Sequence, residues 1–355
     1  MNIIITLLVF TALVVVHEWG HYKVAVKNGI LVEEFAIGMG PLIYSWYKGE
    51  TMFSIRALPL GGFCRMLGEE NGESDSRAFC NKSTWKRMAV VVTGPLMNFI
   101  LCFVLVLGLT ATSSGVILPE VSKVIEGTHA VEQGLEAGDT ITKINGQKIH
   151  TYDDLFLVLE GCDGKDLAVE VKDENGNKEM LNITPSAMDG RWIIGFNPVV
   201  KTGLFEEKVD DYERISIGET IEQSVYTMVY YVKSVVVGFV RIFTFNINPE
   251  EVSGPIGIVE IVGDTVESGM EYGIGVAIKS VLSIMALLSV NLGVINLFPI
   301  PAMDGGRLVF LIIETIRGKA IDGEKEGFIH FLGFVLLMGF MLLIAYNDVA
   351  KLLFR

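Results

Sequence analysis

The stretch VVVHEWGHYK, Val14 to Lys23, places two histidines and a glutamate at the end of an apolar run that starts at the N-terminus. Sixteen almost unbroken apolar residues precede His17. A helix of roughly twenty such residues crosses a hydrocarbon layer of about 30 Å. Ionisable groups at that depth are costly and mark function by default. The fold therefore turns on whether the rest of the chain also belongs in a membrane.

Composition says that it does. Half of the 355 residues are hydrophobic, and the mean hydropathy is +0.47, too apolar for an ordinary soluble enzyme. The formal charge of −14, without a Lys/Arg stripe, excludes nucleic acid as a partner. Cys64, Cys80, Cys102 and Cys162 stand singly, so neither a disulfide framework nor a cysteine metal site is expected. The opening run lacks a basic lead-in and a small-residue cleavage site, and reads as an uncleaved first span.

Apolar runs of spanning length occur at 3–27, 88–112, 275–297 and 328–346, giving four expected spans. Residues 215–244 are apolar enough for a fifth, but Lys233 and Arg241 interrupt them, and an amphipathic helix at the outer interface is expected. The loop at 22–90 is basic, with Lys23, Lys48, Arg65, Arg77 and Arg87 among others, so it is expected in the cytoplasm and the N-terminus outside. The acidic block at 114–214 then lies outside.

Within the basic loop, LIYSWYKGETMFSIRALPLGG alternates around Lys48-Gly49-Glu50, a hairpin signal, and predicts a small sheet at the membrane. The next stretch, NGESDSRAFCNKS, reads as a polar linker. From 117 to 200 short strands and turns replace the apolar runs, predicting a compact α+β domain. Its EQGLEAGDTITKINGQKI resembles circularly permuted PDZ domains, which take a peptide as an added strand. Thr128-His129-Ala130 departs from the usual start of that pattern. The expected organisation is a first span at 1–30, hairpin region 31–68, linker 69–86, second span 87–113, PDZ-like domain 117–200, interfacial segment 205–272, and spans at 274–308 and 326–350. In fold class this is a polytopic α-helical membrane protein with about four transmembrane helices, a cytoplasmic-side membrane-associated β-hairpin sheet and an inserted extracytoplasmic α+β PDZ-like domain.

HEWGH is an H-E-x-x-H pattern: His17 and His21, four apart on a helix, share a face and can hold zinc, while Glu18 can serve as general base. Two interfacial histidines at a helix end are the plainer alternative. A catalytic zinc needs a third protein ligand and an open position. Asp304, in NLFPIPAMDGGR, is the candidate, because Pro299 and Pro301 break a span there and Gly305 and Gly306 are expected to loosen the chain beyond. An acidic helix cap is the alternative for Asp304. If 215–244 crossed the membrane, Asp304 would emerge on the side opposite the histidines, which is why an interfacial placement is preferred.

HEWGH, FAIGMGP at 35–41, GPLMN at 94–98, the PDZ-like phrase, SGPIGI at 253–258 and NLFPIPAMDGG together resemble the site-2 proteases, intramembrane zinc metalloproteases, of the regulator-of-sigma-E protease type. Met303 stands where that pattern usually has Leu. The resemblance implies His17, His21 and Asp304 as zinc ligands and Glu18 as the catalytic glutamate. It favours Asn296 as a substrate contact supported by Asn98, with Asn291, Pro299 and Pro301 as further substrate-side candidates. Implied partners are transmembrane protein substrates such as anti-sigma factors or signal-peptide remnants, the lipid bilayer, and an upstream site-1 type protease. The hairpin at 42–58 is expected to clamp an unwound substrate as an extra strand. A PDZ-type membrane receptor, or a zinc-binding membrane protein without peptidase activity, is the competing reading.

Overall fold

The computed structural model describes residues 2–69, 73–188, 190–206, 212–244, 254–319 and 321–353. It divides into two compact units, residues 1–105 with 235–355, and residues 106–234.

In the first unit the opening apolar run forms α1 (Asn2–Lys27), without a proline to interrupt it. A long hairpin comes next, β1 (Val32–Lys48) and β2 (Thr51–Met66), turning at Gly49, whose φ of 65° suits glycine. The hairpin folds back on itself. Phe35 is partnered by both Cys64 and Phe53, and Ala36 by both Phe63 and Ser54, while Leu42 to Lys48 pair with Arg56 to Thr51. Residues Met52 to Ile55 thus have neighbours on both sides, and the free edges are Gly62–Met66 and Leu42–Lys48. Of the hairpin at 42–58 expected to clamp a substrate, the strand at 42–48 therefore keeps a free edge and its partner does not. Among the described residues no other strand pairs with this sheet. Glu34, 1% exposed, is held inside it by Ser54 Oγ at 2.6 Å and by Arg56 and Arg65. The expected linker contains a short 3-10 turn at Phe79–Asn81, its residues 70–72 lie outside the described residues, and α2 (Thr84–Ala111) begins within its bounds.

The second unit is an α+β body. Strands β3 (Val116–Val124), β4 (Thr140–Ile144), β5 (Gln147–Lys148), β6 (Leu167–Lys172), β7 (Lys178–Ile183), β8 (Ser186–Met188), β9 (Arg191–Ile193) and β10 (Phe196–Lys201) alternate with the short helices α3 (His129–Glu132) and α4 (Asp154–Leu159). The main sheet runs β10-β3-β4-β6-β7, with β5 added on β4 and β8-β9 as a separate hairpin. Period-2 alternation in LAVEVK buries Leu167, Val169 and Val171 against Ile141, Ile144 and Ile183, and that apolar cluster holds the unit together. Helix α5 (Ile217–Phe243) starts in this unit, where Lys233 Nζ donates to Asp154 Oδ1 at 2.8 Å and Tyr226 stacks on His150 at 4.2 Å.

The remainder of the first unit is helical: α6 (Pro255–Glu271), α7 (Ile274–Leu297), α8 (Asp304–Arg317) and α9 (Gly323–Leu353). Gly254 and Gly257, in the stretch expected at 253–258, donate their N–H groups to Asp348 of α9; Ser253 lies outside the described residues. Among the described residues five helices, α1, α2, α5, α7 and α9, are long and apolar enough to cross a membrane, one more than the four expected, because most of 215–244 forms one unbroken helix, α5, that also qualifies. The expected span at 274–308 is not continuous: Pro299 and Pro301 end α7 at Leu297, and α8 starts afresh at Asp304. Gly305 and Gly306 do not loosen the chain. They are buried in the first turn of α8, where a Cβ on Gly305 would lie 2.1 Å from the Phe298 carbonyl oxygen.

Candidate active site

The helical period sorts HEWGHY onto two faces. Trp19 and Tyr22 pack on the hairpin, with ring centroids 5.7 Å (Trp19–Phe35) and 5.4 Å (Tyr22–Phe53) apart. His17 and His21 lie buried, 6% and 7% exposed, on the other. His21 Nδ1–H donates to Val90 O on α2 at 2.9 Å, which leaves the lone pair on Nε2. Asn98 Nδ2 of α2 lies 3.1 Å from His17 Nδ1 while its Oδ1 is buried without a partner, and turning the amide over pairs both groups, with Oδ1 accepting the Nδ1 proton. Ser289 Oγ of α7 donates to the Asn98 backbone carbonyl at 2.8 Å. Gly94 provides the space: a Cβ there would stand 2.3 Å from His21 Nε2 and 2.8 Å from His17 Nε2.

Asp304 completes the group from the start of α8. Its Oδ2 lies 3.0 Å from His17 Nε2 and 3.3 Å from His21 Nε2, and the two Nε2 atoms are 3.1 Å apart. Oδ2 is buried and has no hydrogen-bond donor among the described residues. With the proton of each ring on Nδ1, the two Nε2 lone pairs and Oδ2 face one another, an arrangement that a cation satisfies. Tetrahedral zinc with bonds of about 2.0–2.1 Å sets neighbouring ligand atoms about 3.3 Å apart, close to all three edges of this triangle. Two imidazoles and one carboxylate also form a donor set that leaves a fourth position open. The residues therefore fit zinc.

The three residues open on a cavity of about 600 Å³, lined also by Glu18, by Phe63 to Met66 of β2, and by Asn296. Asn296 is thus the asparagine placed on the cavity wall. Asn98 is fully buried behind His17 and cannot touch a substrate, which corrects its place among substrate contacts. Asn291 does not line the cavity, and neither do Pro299, which is exposed, and Pro301, which packs on Gly333 of α9. These prolines shape the loop and do not meet the cavity. Sequence reasoning passed over Gly94, Ser289, and an ion pair between Arg307 and Glu69, both on the cavity wall. Glu69 fell in the supposed linker, and no spacing rule links it to Arg307.

A His-His-carboxylate set beside a glutamate, in a helical unit apolar enough for a bilayer, defines the class: a zinc peptidase of membranes. The profile of Peptidase family M50 matches residues 5–340, and the chain belongs to that family. It is 35% identical over 350 residues to a Clostridium acetobutylicum protein named among zinc metalloproteases, covering 98% of this chain and 97% of the relative. It is 32% identical over 441 residues to the zinc metalloprotease RasP of Bacillus licheniformis, covering 99% and 100%. To the regulator of sigma-W protease RasP of Bacillus subtilis it is 29% identical over 440 residues, covering 99% of each. The protein is a zinc metalloprotease, and the non-enzymatic reading falls.

Proposed function

We propose that the protein cuts transmembrane segments of single-span proteins within the bilayer, with His17, His21 and Asp304 as zinc ligands and Glu18 as general base. One observation carries this: two imidazole Nε2 atoms converge on an Asp304 Oδ2 that is buried without a partner, next to Glu18, in the C-terminal half of a helix long enough to span. His17, His21 and Asp304 would hold zinc, which when bound would supply Lewis acidity for a carbonyl and for water. Glu18 takes the proton of the attacking water and returns it to the leaving amine. Asn98 and the Val90 carbonyl orient the two imidazoles from behind, and Asn296 meets the substrate from the cavity wall.

A helical substrate must unwind before its peptide bond is accessible, because its backbone groups are paired internally. The free edge at Gly62–Met66 runs along the cavity and offers the donors and acceptors for an added strand. The clamp of the substrate is placed there.

Four spans, α1, α2, α7 and α9, fit this reading, with the N-terminus and the PDZ-like domain outside and the site toward the cytoplasm. Helix α5 then lies along the outer surface. Support comes from its middle, where Tyr226 and Lys233 are engaged by His150 and Asp154 of a sheet-bearing body that hydrocarbon would not tolerate. The PDZ-like domain acts as a filter, admitting substrates already shortened outside by a site-1 type protease. Anti-sigma factors and signal-peptide remnants are the substrate classes, in line with the sigma-W regulator among the relatives.

The test is cleavage of a panel of single-span substrates by purified protein in detergent, wild type beside Glu18→Gln. Loss of a general base predicts a fall in rate of about 10²-fold or more. Equal cutting by the two proteins would overturn the assignment of Glu18.

A further inference from the structure

Ala302, two residues before Asp304, has φ +76°, a left-handed conformation that a residue with a Cβ enters only when its surroundings impose it. Its N–H donates to His330 Nδ1 on α9 at 2.8 Å. One turn further along α9, Gly333 receives the preceding residue: a Cβ at Gly333 would lie 2.4 Å from Pro301 Cβ and 2.6 Å from its carbonyl oxygen. The His330 ring is itself seated against Phe310 of α8, with centroids 5.4 Å apart. The turn that precedes Asp304 is therefore gripped by α9 at two adjacent points, one polar and one steric.

From this geometry we infer that His330 is a positioning residue: its Nδ1 holds the Ala302 amide in the left-handed turn and so delivers Asp304 to His17 and His21. The inference rests on the proposed reading of Asp304 as a metal ligand. Its logic is conformational. Without an acceptor for that N–H, the turn loses the contact that offsets its unfavourable φ and relaxes toward negative φ. Asp304 Oδ2 then leaves the positions 3.0 Å and 3.3 Å from the two imidazoles. Accepting at Nδ1 places the ring proton on Nε2, the tautomer this contact requires. His330 and Asp304 line one cavity of about 670 Å³, yet the converging ligand atoms belong to His17, His21 and Asp304 and not to His330, so it acts through the loop and not as a ligand.

The experiment uses full-length protein in detergent and reads two quantities: zinc retained per chain across a chelator series, and kcat and KM separately on one single-span substrate. His330→Leu is expected to release zinc at about 10-fold lower chelator, as loss of a supporting partner of a ligand does, and to lower kcat with little change in KM. His330→Asn, whose Oδ1 reproduces the Nδ1 acceptor, is expected to restore both. Ala302→Gly added to His330→Leu is expected to restore zinc retention as well, because glycine holds the left-handed turn without help. Asp304→Ala serves as the reference for ligand loss. If His330→Leu matches wild type while Asp304→Ala loses zinc, the inference is overturned and the proposed function stands. If His330→Leu is impaired and neither rescue works, His330 merely packs α9, and the inference is again overturned. If Asp304→Ala keeps its zinc, the ligand reading fails first, and this inference with it.

Discussion

Asp304 in the membrane unit, whose Oδ2 is buried, and Asp154 in the α+β unit carry the same functional group and are treated in opposite ways. Asp154, 2% exposed, is surrounded by donors: the backbone N–H groups of His150 and Thr151 at 2.9 and 3.0 Å, the Thr151 hydroxyl at 3.2 Å and Lys233 Nζ at 2.8 Å. Burial pushes its carboxyl up, but the Lys233 and backbone contacts outweigh that and hold it below the usual range. Asp304 Oδ2 meets only imidazole nitrogens and has no donor among the described residues. The membrane unit can satisfy a buried acid when structure alone is at stake. Asp348 accepts from Gly254 and Gly257 at 3.1 and 3.0 Å, and Glu34 from Ser54, Arg56 and Arg65. A buried carboxylate ringed by donors is architecture, and one aimed at other lone pairs is a site.

If that distinction holds, removing the two carboxylates has different consequences. Asp154→Ala leaves buried N–H groups and a lysine without their acceptor, and is expected to cost about 3 kcal/mol, read as a lower melting temperature with zinc content unchanged. A melt indistinguishable from wild type would break the comparison at its structural end.

A smaller effect sharpens it at the surface of the same unit. Lys143, Thr142 and Lys178 hold the Glu170 carboxyl down at about 2. Because the folded value lies below the ordinary 4.5, the contribution is full above about pH 4.5 and is lost as the pH falls toward 2. Glu170→Gln should therefore be slightly less stable than wild type at pH 6, with the gap closing toward pH 2 in a pH series of unfolding curves. Since the ion pairs are partly solvated, the gap is expected to be small. A gap that does not change with pH would assign the effect to packing.

What could be read from the sequence was local. HEWGH carries its own geometry, since residues four apart on a helix must share a face, and two prolines must end α7 before Asp304. The apolar runs of α1, α2, α7 and α9 announced themselves by length. Contacts made across the fold had no such signal. Nothing near Phe35 says that it will sit between Cys64 and Phe53, and so the hairpin at 42–58 read as a simple pair. Gly94 looks like an ordinary helix glycine until two imidazole nitrogens are found in the space a side chain would fill. His330 is a lone histidine in an apolar helix, and only the loop meeting its Nδ1 gives it a role. Helix α5 is a different case: hydropathy qualifies it as a span, and its contacts with His150 and Asp154 have no signal in the sequence.

The most direct test counts zinc and cleavage together in wild type, Glu18→Gln and Asp304→Ala. The account predicts one zinc per chain with cutting in wild type, zinc kept and cutting lost in Glu18→Gln, and both lost in Asp304→Ala. Zinc bound at wild-type strength by Asp304→Ala would contradict it, because the carboxylate without a donor would then have no part in holding the metal.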